Sequence, residues 1–220
     1  MVGGIFELYV SRWDFFSELI YQHIMITFIA VAIISVIGLT LGVLMTQNSK
    51  LASVVLVVTN FIYTIPAIAL FGMLVTVTGI GDKSAIIALT LYGILPIVRN
   101  VYTGIMEVDD QIIESAIGMG VTKKQLMLKI QLPLASPVIM AGFRTMVVMT
   151  IALGGIASFI GAGGLGKAIY RGITTYYPEM IIGGSLLVAL LAIITDFFLG
   201  IIERRIRIKV LGRSSTGGKK

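Results

Sequence analysis

Two charged residues stand where the chain is otherwise most apolar: Arg144 within the stretch at about residues 136–160 and Asp196 within about 180–202. Each lies about seven residues, roughly 10 Å at 1.5 Å per residue, from the basic-flanked end of its stretch. An ion pair inside a helical bundle is expected, holding structure rather than touching a solute. Pro66 and Pro96 also interrupt apolar stretches, where proline removes a backbone hydrogen bond, so they are candidates for pathway-lining or hinge positions. Little else offers chemistry. With no Cys, one His and eleven Asp and Glu, the chain lacks a disulfide framework, a thiolate metal site and any visible catalytic constellation, so it does not read as an enzyme.

Gly161-Ala162-Gly163-Gly164-Leu165-Gly166-Lys167-Ala168 falls one residue short of a phosphate-binding loop. Ala168 stands where a hydroxyl must hold magnesium, and the segment follows an apolar stretch rather than a strand, so a glycine-rich turn is expected. Trp13, Tyr170, Tyr176 and Tyr177 read as an aromatic belt at a membrane interface before they read as a cation-binding cage. His23 reads as a residue of the same interface.

The elements that position these residues follow from composition. A chain of 220 residues that is 57% hydrophobic and 13% charged, with a mean hydropathy of +1.00, carries more apolar surface than a soluble core can bury. Its apolar residues group into five runs at about 22–46, 51–77, 84–104, 136–160 and 180–202, each long enough to cross about 30 Å of hydrocarbon as a helix. The expected class is an all-α integral membrane protein with five transmembrane helices. Gly38 and Gly42 form a small-xxx-small pair for close helix packing in the first run. Residues 1–21, with Phe6, Tyr9, Trp13, Phe15 and Phe16 among charges, suit an interfacial helix, and no cleavable signal peptide is visible.

Lysine and arginine set the orientation. With the N-terminus outside, twelve fall on the cytoplasmic side, from Lys50 to the group Arg204, Arg205, Arg207 and Lys209 and the tail beyond, against Arg12, Lys83, Lys167 and Arg171 outside. The positive-inside rule selects N-out, C-in. The same distribution explains the net charge of +6 without nucleic acid. The expected organisation is an outer segment at 1–21, a membrane domain at 22–205 and a basic cytoplasmic tail at 206–220, disordered from Gly212 onward.

One sizeable polar segment remains, at about 105–135, on the cytoplasmic side. It reads as two short helices, Val108 to Met119 and Thr122 to Ile130, the first opened by Asp109 and Asp110, the two separated near Gly120, the second ended by Pro133. Within it stand Glu114-Ser115-Ala116, then after three residues Gly120, after nine more Ile130, and after one more Leu132-Pro133. This spacing resembles the "EAA" loop of permeases of binding-protein-dependent ABC importers, with Ser115 replacing the usual first alanine.

The resemblance covers about residues 20–205. Tyr63-Thr64-Ile65-Pro66-Ala67-Ile68-Ala69-Leu70, Leu95-Pro96-Ile97-Val98-Arg99-Asn100-Val101-Tyr102-Thr103-Gly104-Ile105, Pro137-Val138-Ile139-Met140-Ala141-Gly142-Phe143-Arg144-Thr145 and Phe159-Ile160-Gly161-Ala162-Gly163-Gly164-Leu165-Gly166 look like permeases of glycine betaine, carnitine and choline importers. The resemblance implies a type I importer permease of MetI-like fold in a bacterial cell membrane. It further implies that the 105–135 loop couples to separate ABC ATPase subunits, which bind the ATP and magnesium, so this chain needs no cofactor. The implied partners are a second permease copy or a homologous permease, and an external solute-binding protein. A same-fold importer for methionine or another small solute would share the loop. A secondary transporter or channel would need a coupling-ion site or more spans.

Overall fold

A peptide group in hydrocarbon has no water to bond, so an apolar run of this length must satisfy its backbone internally, as a helix. The computed structural model describes residues 2–212, and within them the chain is a succession of helices: α1 (Val2–Ser11), α2 (Trp13–Gln47), α3 (Ser49–Thr64), α4 (Ala67–Thr78), α5 (Asp82–Met106), α6 (Asp110–Gly118), α7 (Lys123–Leu126), α8 (Leu132–Ala157), α9 (Gly166–Thr174) and α10 (Pro178–Leu211). A π-helical turn, Met127–Gln131, joins α7 to α8, and a 3-10 turn, Ser158–Ile160, caps α8. Hydroxyls inside the apolar helices bond back to their own helix, Thr27 to His23 O at 2.7 Å and Thr150 to Met146 O at 2.8 Å, so they bring no unpaired donor into the bundle.

The bundle is built around α5. More than half of its most apolar window is buried, whereas the corresponding window of α10 buries nothing, so α5 is the central helix and α10 a peripheral one. Helices α2 and α8 flank α5, and α10 packs on α8 and α9. The main core joins Ala30 and Ile34 of α2, Ala88, Leu89, Ile97 and Val101 of α5, and Met146 of α8. Gly38 and Gly42 permit the close approach of α2 to α5: a Cβ at Gly42 would sit 2.5 Å from Val101 and 3.3 Å from Val98 O. Gly42→Leu is therefore expected to overpack this seam at a cost of about 3 kcal/mol, read as a lower midpoint for thermal unfolding in detergent; an unchanged midpoint would exclude tight packing there.

Four helical stretches are long and apolar enough to cross a membrane, and α3 with α4 form a fifth only as a pair bent by 101°. The interruption expected at Pro66 in the run at 51–77 is thus a full break between two helices, with Pro66 at the head of α4 rather than inside one kinked helix. Ile65 and Pro66 are both extended, with ψ 128° and 133°, because a residue preceding proline is pushed out of the helical region. The Tyr92 hydroxyl donates to Ile65 O and satisfies the broken backbone.

Pro133 does not end the second loop helix, because α7, the π turn and α8 form one continuous stretch, Lys123–Ile160. The wider turn, with Leu132 N bonded to Met127 O, carries the helix past a residue that has no N–H to give. Half of the 1–21 segment is the head of α2. Its Phe16 is buried with Leu8 of α1 and Met180 of α10, and Tyr9 donates to Gly183 O at 2.7 Å. Helix α10 runs through residue 206 without a break. The disordered tail expected beyond Gly212 lies outside the described residues.

Candidate functional site

The 105–135 loop is shaped by its end-capping residues. Asp109 opens α6 by accepting Gln111 N at 2.8 Å. At the far end Gly120 N bonds Ile117 O at 2.9 Å and Val121 N bonds Ala116 O at 3.2 Å. That is the paired closure of a helix by a left-handed residue, and Gly120 has φ +81°. Thr122 and Gln125 then cap α7 reciprocally. The result is a firm helix–turn–helix corner at the end of the bundle. Ala116 is its buried contact; Glu114, Ser115 and Gly120 face outward.

Glu114 makes no ion pair among the described residues. Ile117 and Met119, 57% and 76% exposed, add an apolar patch that the sequence reading did not single out. An apolar patch beside an unpaired carboxylate suits a protein partner better than plain solvent. Ile130 lies in the π turn and is half-buried, as is Leu132 at the start of α8, while Pro133 in the first turn of α8 is exposed. They join the corner to the membrane helix rather than present a surface of their own.

Along the bundle from this corner Arg144 of α8 and Asp196 of α10 meet as expected, but on a partly accessible face of the helices rather than in the bundle interior. Nε reaches Oδ1 and Nη2 reaches Oδ2, both at 2.6 Å, in a two-pronged pair. Glu203 joins them, its Oε2 accepting from Arg144 Nη1 at 3.1 Å and its Oε1 from Arg207 Nη2 at 2.9 Å. Glu203 was missed in the sequence, although its seven-residue offset from Asp196 places both on one helix face. Gly200 lies between them, and a Cβ there would stand 3.1 Å from the guanidinium carbon. The glycine lets the arginine lie flat against α10. Pro96 takes no part. It stays inside α5, where its carbonyl accepts Asn100 Nδ2 at 2.8 Å.

The glycine-rich turn sits at the opposite end of the bundle. Its Gly163 N–H is given to Asp82 Oδ1 at 2.7 Å and its Gly164 N–H to Gln22 Oε1 at 3.2 Å. Backbone donors that would cradle a phosphate are already spent on side-chain oxygens. His23 corrects the expectation of an interface residue: it is 2% exposed, its Nε2 is 3.0 Å from Ile151 O, and Gly154 and Gly164 pack against its ring. It pins α2 to α8. Tyr176 is 93% exposed and Tyr170 pairs edge-on with Phe159 at 5.2 Å.

A family model described as "Binding-protein-dependent transport system inner membrane component" matches residues 35–208. The chain is 42% identical over 186 residues to the choline transport system permease protein of Bacillus subtilis (strain 168), covering 84% of this chain and 86% of the relative. It is 41% identical over 198 residues to the glycine betaine/carnitine/choline transport system permease protein of the same organism, covering 89% and 91%. Among solved structures, a chain of the inward-facing MetNI methionine ABC transporter superposes with a TM-score of 0.78 at 26% identity, over 89% of this chain and 97% of that one.

Proposed function

The chain belongs to the family of binding-protein-dependent transport system inner membrane components, multi-pass permeases rather than enzymes, and from that premise we propose that it conducts quaternary-ammonium osmoprotectants into the cell. The observation that carries the substrate class is identity above 40% to permeases named for choline, carnitine and glycine betaine, over most of both chains. The energy source is a separate ATPase, a reading that rests on the family match; the glycine-rich turn at 161–168, with two of its N–H groups spent on Asp82 and Gln22, does not compete for that role.

The α6–α7 corner is the coupling element. ATP binding closes a pair of ATPase subunits, each moves the corner lodged in it, and the membrane helices switch between inward- and outward-facing arrangements at a docked solute-binding protein. Five crossings, with α3 and α4 counted as one, run from an outer segment at 1–21 to a cytoplasmic tail at 206–220; the grouping of Lys and Arg supports this N-out, C-in course. Five helices enclose a pathway poorly, so a second copy or a homologous permease completes it.

Reconstitution with the ATPase and solute-binding partners tests the reading. ATP-dependent uptake of radiolabelled glycine betaine, carnitine or choline into liposomes is expected. ATP-coupled uptake of methionine alone would keep the importer and discard the osmoprotectant, and solute movement without ATP would discard both.

A further inference from the structure

A cavity of about 570 Å³ opens between α3, α8 and α10, within the range of pockets that hold small molecules. Three features of its wall act together. Tyr63 stands at the end of α3, 47% exposed, two residues before the Ile65–Pro66 break. Its hydroxyl is 3.6 Å from Met149 Sδ and its ring meets Tyr92 edge-on at 6.0 Å, so an exposed aromatic ring is held in place. Arg144, Asp196 and Glu203 line the same cavity, with the Arg144 and Asp196 side chains 33% and 41% accessible. Thr145 and Met149 of α8 also line the cavity.

Resting on the transport reading above, we propose that this cavity, bounded by Tyr63, Arg144, Thr145, Met149, Asp196 and Glu203, is a weak intramembrane binding site for the solute's quaternary ammonium group. The chemistry fits that group better than a primary amine. Every oxygen of Asp196 and Glu203 already accepts an arginine N–H. An ammonium bearing hydrogens competes for those oxygens. A quaternary ammonium has no hydrogen to donate and needs only nearby negative charge and an aromatic ring, which Asp196 and Tyr63 supply. Two arginines balance the two carboxylates, so the site attracts the cation weakly. A transport stage must bind well enough to be entered and weakly enough to be left.

The site is tested on the permease–ATPase complex in nanodiscs, without the solute-binding protein, by scintillation-proximity binding of radiolabelled choline. Saturable binding is expected, displaced by tetramethylammonium and not by ethanolamine. Tyr63→Phe is expected to keep it, whereas Tyr63→Leu weakens it by about tenfold or more. Ala152→Phe, which fills the cavity from α8 without touching the ion pair, is expected to abolish it even if Tyr63→Leu fails to assemble. ATP-driven choline uptake by the full wild-type system is measured alongside. Uptake without saturable binding, or binding indifferent to Tyr63→Leu and Ala152→Phe, overturns the site and leaves the transport reading standing; absence of uptake with all partners present overturns the reading itself.

Discussion

Arg144→Leu is expected to lower the amount of folded permease in the membrane several-fold and to eliminate uptake. The guanidinium serves both oxygens of Asp196 and one of Glu203, and among the described residues no other cation lies within ion-pair distance of Asp196. Removing it leaves a carboxylate within an otherwise apolar helix, and a carboxylate there is costly unless paired. Arg144→Lys keeps the charge but replaces a planar fork by a point charge and loses the two-pronged geometry by which Arg144 serves both Asp196 oxygens. It is expected to fall between leucine and wild type. The triple replacement Arg144→Leu, Asp196→Leu and Glu203→Gln removes the stranded charges along with the arginine. Its amount in the membrane, measured by quantitative immunoblot of washed membranes, is expected to recover while uptake does not. Arg144→Leu with amount and uptake unchanged would remove the network's role altogether.

Arg144 and Asp196 were legible in the sequence because a charge in an apolar run is conspicuous and matching depths suggest a meeting. Glu203 was not, because it stands beside Arg204 and Arg205 at the end of the run, where a charge reads as solvated. The periodicity that would have found it, two helical turns on from Asp196, was present but carried less weight than its charged neighbours. A kink at Pro66 was legible from the proline itself, but its sharpness was not, for a different reason. Hydropathy records only that residues 51–77 are apolar, and a helix, a kink and a right-angled break all satisfy it. What separates them is the extended pair Ile65–Pro66, closed by the Tyr92 hydroxyl from another helix.

His23 shows the same limit. Near the end of an apolar run it looks like an interface residue, but Ile151, Gly154 and Gly164, which enclose it, are distant in sequence. Pro133 misled because proline is normally a terminator, and a π turn that absorbs it leaves no compositional trace. The loop at 105–135 was legible down to the turn at Gly120, since capping residues act on their immediate neighbours.

That locality makes the loop the sharpest test of mechanism. Gly120→Val is expected to reduce ATP-driven uptake to background while the complex with the ATPase still assembles. At φ +81° a β-branched side chain meets its own backbone, so the turn must reopen at a cost of about 1–2 kcal/mol or more. Reopening it redirects α6 relative to α7 without disturbing the core, because among the described residues nothing beyond its chain neighbours lies within 4 Å of a Cβ at Gly120. Gly120→Asn is expected to retain most uptake, since asparagine tolerates the left-handed region. Glu114→Ala removes an outward carboxylate that makes no ion pair or side-chain hydrogen bond among the described residues, so its effect falls on the partner: uptake is expected to drop while the unfolding midpoint stays at the wild-type value. ATP hydrolysis by the assembled complex, measured together with uptake, separates the two kinds of loss. Hydrolysis that continues without uptake means the corner transmits the motion, whereas loss of both in proportion means it only holds the ATPase in place. Uptake unaffected by Gly120→Val and Glu114→Ala alike would remove the coupling role from this loop.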